Sequence, residues 1–114
     1  MSDDRLPAAI EATGLMRRVE AQGDHAAVLH KGDPERGTLL LVVTSRGKHV
    51  ACLERALSLD GKYRWREVGP AESASSQDVS EFLAKRQRSD PDLWLIELDI
   101  VLAERFIAET TEEG

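Results

Sequence analysis

Residues 38–68 read TLLLVVTSRGKHVACLERALSLDGKYRWREV. The first seven, Thr38–Thr44, carry no charge. Side chains alternate across a strand, so a strand built from this run is apolar on both faces and suits a central position covered on two sides. Ser45-Arg46-Gly47-Lys48 reads as a hairpin turn. His49–Leu59 reads as a second, less regular strand with a bulge expected near Ala56. Asp60-Gly61 predicts a two-residue type I′ turn, because both central positions of that turn need positive φ. Lys62–Val68 then alternates cleanly, with Tyr63 and Trp65 to one face and Lys62, Arg64 and Arg66 to the other.

Working outward, Pro7–Gln22 has Ala8, Ala12, Leu15, Met16 and Val19 on one helical face. Asp3 and Asp4 fall near its positive end, Arg17 and Arg18 near its negative end, and Gly23 supplies a stop. Gly14 costs this helix about 1 kcal/mol against alanine unless it marks a close contact. His25–Lys31 is a strand, and 31–37 (KGDPERG) is a loop of turn formers. Beyond the hairpins, Ser75-Ser76-Gln77-Asp78 fits a capping box, with Val79, Phe82 and Leu83 on the inner face of the helix it starts. Asp90-Pro91-Asp92 ends that helix, and Leu93–Ile100 is the last strand. Residues 101–108 fit either a short edge strand or a helix, and 109–114 read as a flexible acidic tail.

The order is therefore α-β-β-β-β-α-β. Short turns between successive strands imply an antiparallel meander of about five strands. The expectation is a two-layer α+β domain over residues 5–108, with two helices on one sheet face and the other face open.

Composition bounds the function. The chain has 114 residues, enough for one domain with a core of its own. Aspartate and glutamate number 21 against 15 lysines and arginines, giving a net charge of −6, which opposes a general role in gripping a phosphate backbone. No stretch approaches the roughly 20 apolar residues of a membrane span, and no Sec-type leader is expected. The single cysteine, Cys52, excludes an internal disulfide and a multi-thiolate zinc site.

Three pieces carry a resemblance. Met16-Arg17-Arg18 followed by Gly23, AAVLHKGDPERG over 26–37, and SDPDLWLIELDI over 89–100 together resemble the uncharacterised alphaproteobacterial domain-of-unknown-function family 1491. The likeness spans roughly residues 5–107, and its last piece is the most specific. It implies a single-domain bacterial protein of the cytoplasm. It implies no activity, and no functional residue comes with it.

The chemistry-bearing residues each admit two readings. His30, Asp33 and Glu35 could gather on the 31–37 loop and offer one nitrogen and two oxygens to a divalent ion for hydrolysis. The plainer reading has Asp33 closing the turn through backbone amides and Glu35 solvated. Cys52 sits among Val50, Ala51 and Leu53, a packed thiol more than a nucleophile. No Gly-x-Ser-x-Gly and no glycine-rich phosphate loop occur. Lys62, Arg64 and Arg66 form a basic stripe interleaved with rings, as on a nucleic-acid platform, but alternation puts rings and cations on opposite faces. Arg17 and Arg18 are either contact residues or charges complementing a helix end. Asp90–Trp94 is either a docking edge or a turn whose Trp94 anchors Phe82 and Leu83. Taken together these favour a small non-enzymatic interaction module. It would bind a protein partner or itself, with Arg17, Arg18, Lys62, Arg64 and Arg66 as candidate contacts and no cofactor, metal or membrane.

Overall fold

The computed structural model describes residues 5–113. Asp3, Asp4 and Gly114, named above for a helix end and a tail, lie outside them. The elements are α1 Ala8–Ala21, β1 His25–His30, β2 Leu39–Ser45, β3 Lys48–Leu57, β4 Tyr63–Val68, α2 Ser76–Ser89, β5 Trp94–Asp99 and α3 Ala103–Glu113. The five strands form one α+β sheet in the order β1-β5-β2-β3-β4. β2 pairs with β3, β3 with β4, and β1 with β5, all antiparallel. β5 also pairs with β2, parallel, with Leu41 opposite Ile96. The sheet is therefore mixed, and the expected antiparallel meander is corrected. β5 arrives after the α2 crossover and inserts between β1 and β2, the two strands that sequence order would have made neighbours.

That insertion explains the two most apolar strands. β2 and β5 are both flanked on each side, and both faces of each are covered. Leu39, Leu41 and Val43 of β2 join Leu53, Ile96 and Leu98 in a core beneath Ala12, Leu15 and Val19 of α1 and Ala103 and Phe106 of α3. Leu40 and Val42 point to the opposite face, where Cys52, Leu93 and Leu95 pack under Val79, Phe82 and Leu83 of α2. The helices thus lie on both faces, α1 and α3 on one and α2 on the other. The expectation of two helices on a single face fails for a physical reason. Fully buried leucine and valine on both sides of β2 each contribute about 1.5–3 kcal/mol only if each side is roofed.

Of residues 101–108, 103–108 resolve as helix after a turn at Val101-Leu102, since Ala103, Phe106 and Ile107 recur at the i, i+3, i+4 spacing and pack on the α1 side of the sheet. α3 continues through 109–113, the stretch expected as a tail. α1 and α2 match their sequence signals closely. Pro7 and Gln22 flank α1, and Gly23 follows at φ +89°. The Ser75 hydroxyl accepts the Asp78 amide at 3.0 Å.

The two-residue turn with positive φ expected at Asp60-Gly61 forms instead at the other hairpin. Arg46 (φ +53°) and Gly47 (φ +81°) form the two-residue turn with both φ positive, between paired Ser45 and Lys48. At Asp60-Gly61 only the glycine has positive φ (+84°). There the Gly61 amide bonds Ser58 O (3.0 Å) and the Ser58 amide bonds Lys62 O (2.8 Å), a three-residue loop ending in a left-handed glycine. The β3 irregularity falls beside Val50, where Thr44 faces His49 and Val43 faces Ala51, and not at Ala56.

The 31–37 loop must step across β5 to join β1 to β2, a distance of two strand spacings, about 10 Å. It lies directly on the start of β5. The Asp33 amide donates to Asp92 O (2.9 Å), and the Trp94 indole N–H donates to Asp33 O (2.8 Å). Carbonyls of Pro34 and Glu35 accept the Ala9 and Ala8 amides (2.8 and 3.0 Å), which satisfies the first turn of α1 in place of a side-chain cap. Trp94 therefore sits on the α1 side of the sheet; Leu93, not Trp94, packs with Phe82 and Leu83.

Candidate functional site

A groove of about 780 Å³ runs between α1 and α3 on the shared face of the sheet. Glu11, Leu15, Arg18 and Gln22 form one wall, spaced at three to four residues along α1. Arg105, Phe106 and Glu109 of α3 form the other, and Trp65 of β4, Arg55 of β3 and Ile100 lie beneath. Val101 and Leu102, 58% and 63% exposed, stand at one end.

The charges here are ordered by the sheet register. Arg55 and Trp65 are cross-strand partners, and the Arg55 guanidinium stands 5.5 Å from the indole centroid, within cation–π range. The same guanidinium pairs with Glu11 Oε2 at 3.1 Å. Arg5 reaches the other Glu11 oxygen at 3.8 Å and lies 5.4 Å over the Tyr63 ring. It also donates to the carbonyls of Arg36 and Gly37. Glu11 is thus a largely buried carboxylate between two arginines, binding α1 to β3 and to the 31–37 loop. Asp24 Oδ1 accepts the Val101 amide at 3.1 Å, and Glu109 pairs with Arg105 at 3.1 Å within α3. Arg18 lines the groove and enters no ion pair among the described residues.

The other sequence candidates are dispersed. Arg64 and Arg66 lie on the α2 side of edge strand β4, opposite the rings of Tyr63 and Trp65, as strand alternation requires, and Lys62 directly precedes the strand. Arg64 pairs with Asp60 (2.6 Å), and its hydrogen bond is the main cause holding the exposed Asp60 carboxyl below its usual 3.8. Arg66 pairs with Glu54 (3.3 Å), which also takes Arg86 of α2 (2.5 Å). The stripe is thus interlaced with carboxylates, while the rings sit under Arg5 and Arg55. Arg17 is exposed on α1, away from the groove lining.

His30, Asp33 and Glu35 are tied into local structure. His30 Nδ1 lies 2.9 Å from Leu93 O, which can only accept, so Nδ1 carries the proton. The Asp33 carboxylate accepts the amides of Glu35 (3.1 Å) and Arg36 (2.7 Å) and closes the turn. Among the described residues no three His, Cys, Asp or Glu side chains gather as a metal group. Cys52 is buried under α2, and burial pushes its thiol up to about 11, against a smaller opposing effect of Arg86. His49 is buried too, its Nε2–H donating to Pro70 O at 3.1 Å.

Sequence reasoning had singled out Arg18 but missed Glu11, Arg55 and Arg105. The α1 signal was available, since 11, 15, 18 and 22 share a face adjoining the apolar one. The α3 wall was not, because 101–108 was open between two structures.

Fold and groove together define a small α+β domain with a concave surface between two helices. Residues 6–108 match the family described as protein of unknown function (DUF1491), and the chain belongs to that family. It is similar to a crystal structure of a DUF1491 family protein from Caulobacter crescentus CB15, with 28% identity, TM-score 0.74, and coverage of 85% of this chain and 90% of that one. An NMR structure of a DUF1491 family protein from the same organism gives 29% identity, TM-score 0.73, and coverage of 86% and 88%. A solution structure of a protein from A. tumefaciens shares the fold at 24% identity and TM-score 0.70, covering 83% and 86%. No curated protein matches the chain. No helix among the described residues is long and apolar enough to cross a membrane.

Proposed function

We propose that this protein is a small non-enzymatic interaction module of the cytoplasm, and that it takes its partner in the groove between α1 and α3. The observation carrying this reading is the groove itself, with Leu15, Trp65, Phe106 and Leu102 bordered by charge. An apolar surface with a polar rim is the anatomy of a protein-binding patch. Its lining contains no His, Cys, Ser, Lys or Tyr. Its three carboxylates are engaged with Arg55 and Arg5, with the Val101 amide, and with Arg105, so none is poised as a free base.

The test is affinity capture from an extract of the host, using the full chain and a Leu102→Asp variant, alongside sedimentation of the purified protein. The expected result is one specific partner, or a second copy, held by the wild-type chain and lost with the charged groove. A strict monomer that captures nothing specific, or a partner held equally by both chains, overturns the reading.

A further inference from the structure

The groove's charges select among occupants. Glu11, 15% exposed, lies between Arg5 and Arg55, Asp24 accepts the Val101 amide, and Glu109 is exposed on α3. The groove's cations are less engaged. Arg18 of the α1 wall enters no ion pair among the described residues. Arg105 of the facing wall is paired only with Glu109, one turn along its own helix, and that pair is 73% and 60% exposed. An exposed i,i+4 pair is worth only a few tenths of a kcal/mol, so Arg105 is readily redirected. Trp65 and Phe106 line the same groove as these two arginines. From Glu11 to Gln22 the α1 wall rises about 16 Å, the reach of roughly five extended residues.

We infer that the groove binds a short acidic–apolar segment of a partner protein, with carboxylates on Arg18 and Arg105 and apolar side chains against Trp65 and Phe106. This rests on the groove being the docking surface and adds the chemistry of its occupant. A basic segment would meet Arg18 and Arg105, with Glu109 the exposed carboxylate beside them. A neutral one would leave Arg18 without a partner.

The experiment is an NMR titration of the full-length chain with three capped pentapeptides, Ac-LELEL-NH2, Ac-LQLQL-NH2 and Ac-LKLKL-NH2. The signals followed are the Trp65 indole N–H and the amides of Arg18 and Arg105. The acidic peptide is expected to shift these signals saturably and to bind about tenfold more tightly than the neutral one, since a charge-assisted contact is worth about one power of ten. The basic peptide should leave them unmoved. Arg18→Glu combined with Arg105→Glu should abolish the preference, and Lys62→Glu, outside the groove lining, should leave it intact. Equal shifts from all three peptides overturn the acidic preference while leaving the groove as the docking surface. No shift of any groove signal by any peptide overturns both. An oligothymidylate that moves the same signals as strongly as the acidic peptide also overturns the proposal.

Discussion

Replacing Gly32 with alanine tests how the β1–β2 loop is held over β5. An added Cβ would lie 2.0 Å from Asp92 O and 2.7 Å from the carbonyl carbons of Asp92 and Leu93. All three are backbone atoms, so no side-chain rotation relieves the overlap. The loop or the start of β5 must move, and such overpacking costs about 1–3 kcal/mol. Displacement also breaks the Asp33 amide bond to Asp92 O and the Trp94 indole bond to Asp33 O, about 1 kcal/mol each. The sum is about 3–5 kcal/mol, a large part of the 5–15 kcal/mol that holds a domain of this kind together. Urea unfolding followed by far-UV circular dichroism should show the midpoint falling by about 1–5 M for an ordinary slope of about 1–3 kcal/mol/M. The Trp94 indole and Asp33 amide should also exchange faster with solvent. A Gly32→Ala protein within about 1 kcal/mol of wild type would refute the reasoning, because no backbone contact that close could then exist.

Gly14→Ala supplies the opposite sign. A Cβ there meets only Arg18 Nη1 at an ordinary 3.6 Å, so helix propensity should raise stability by about 0.5–1 kcal/mol, read as a higher Tm. Asp99 Oδ1 and Oδ2 accept the Arg46 and Gly47 amides (2.9 and 3.0 Å) and pin the β2–β3 turn to the end of β5. Burial raises the Asp99 pKa, but these amides, Thr44 and His25 outweigh it, and the net value lies below 3.8. Its contribution is therefore complete above 3.8 and lost as pH falls through the folded value, so Asp99→Asn should flatten the acid limb of stability against pH. An unchanged acid limb would dismiss the pin. Cys52, raised to about 11 by burial, should resist a thiol reagent in the native protein and react quickly in denaturant; rapid native labelling would show the α2 layer to be open.

Most elements were legible because their signals are local. The α1 face, the Ser75 cap and the alternation of β4 depend on residues within a few positions of one another. The turns were less legible. Asp60-Gly61 and Arg46-Gly47 both end in glycine, and only the number of residues spanned by the closing hydrogen bonds separates a two-residue turn from a three-residue one. The 31–37 glycines were recognised as loop glycines, but their reason, contact with Asp92 sixty residues away, has no local trace.

The sequence by itself determined that this is an α+β domain with a doubly apolar central strand, and that a single cysteine can form no internal disulfide. It even contained the evidence against an open sheet face, since Thr38–Thr44 requires cover on both sides. Only the tertiary structure decided that β5 runs parallel beside β2, that α2 roofs the second face, and that α1 and α3 stand apart over Trp65. Those choices turn on which strands pair after a long crossover. Pairing energy there comes from contacts between residues far apart in the chain, and no local pattern encodes it.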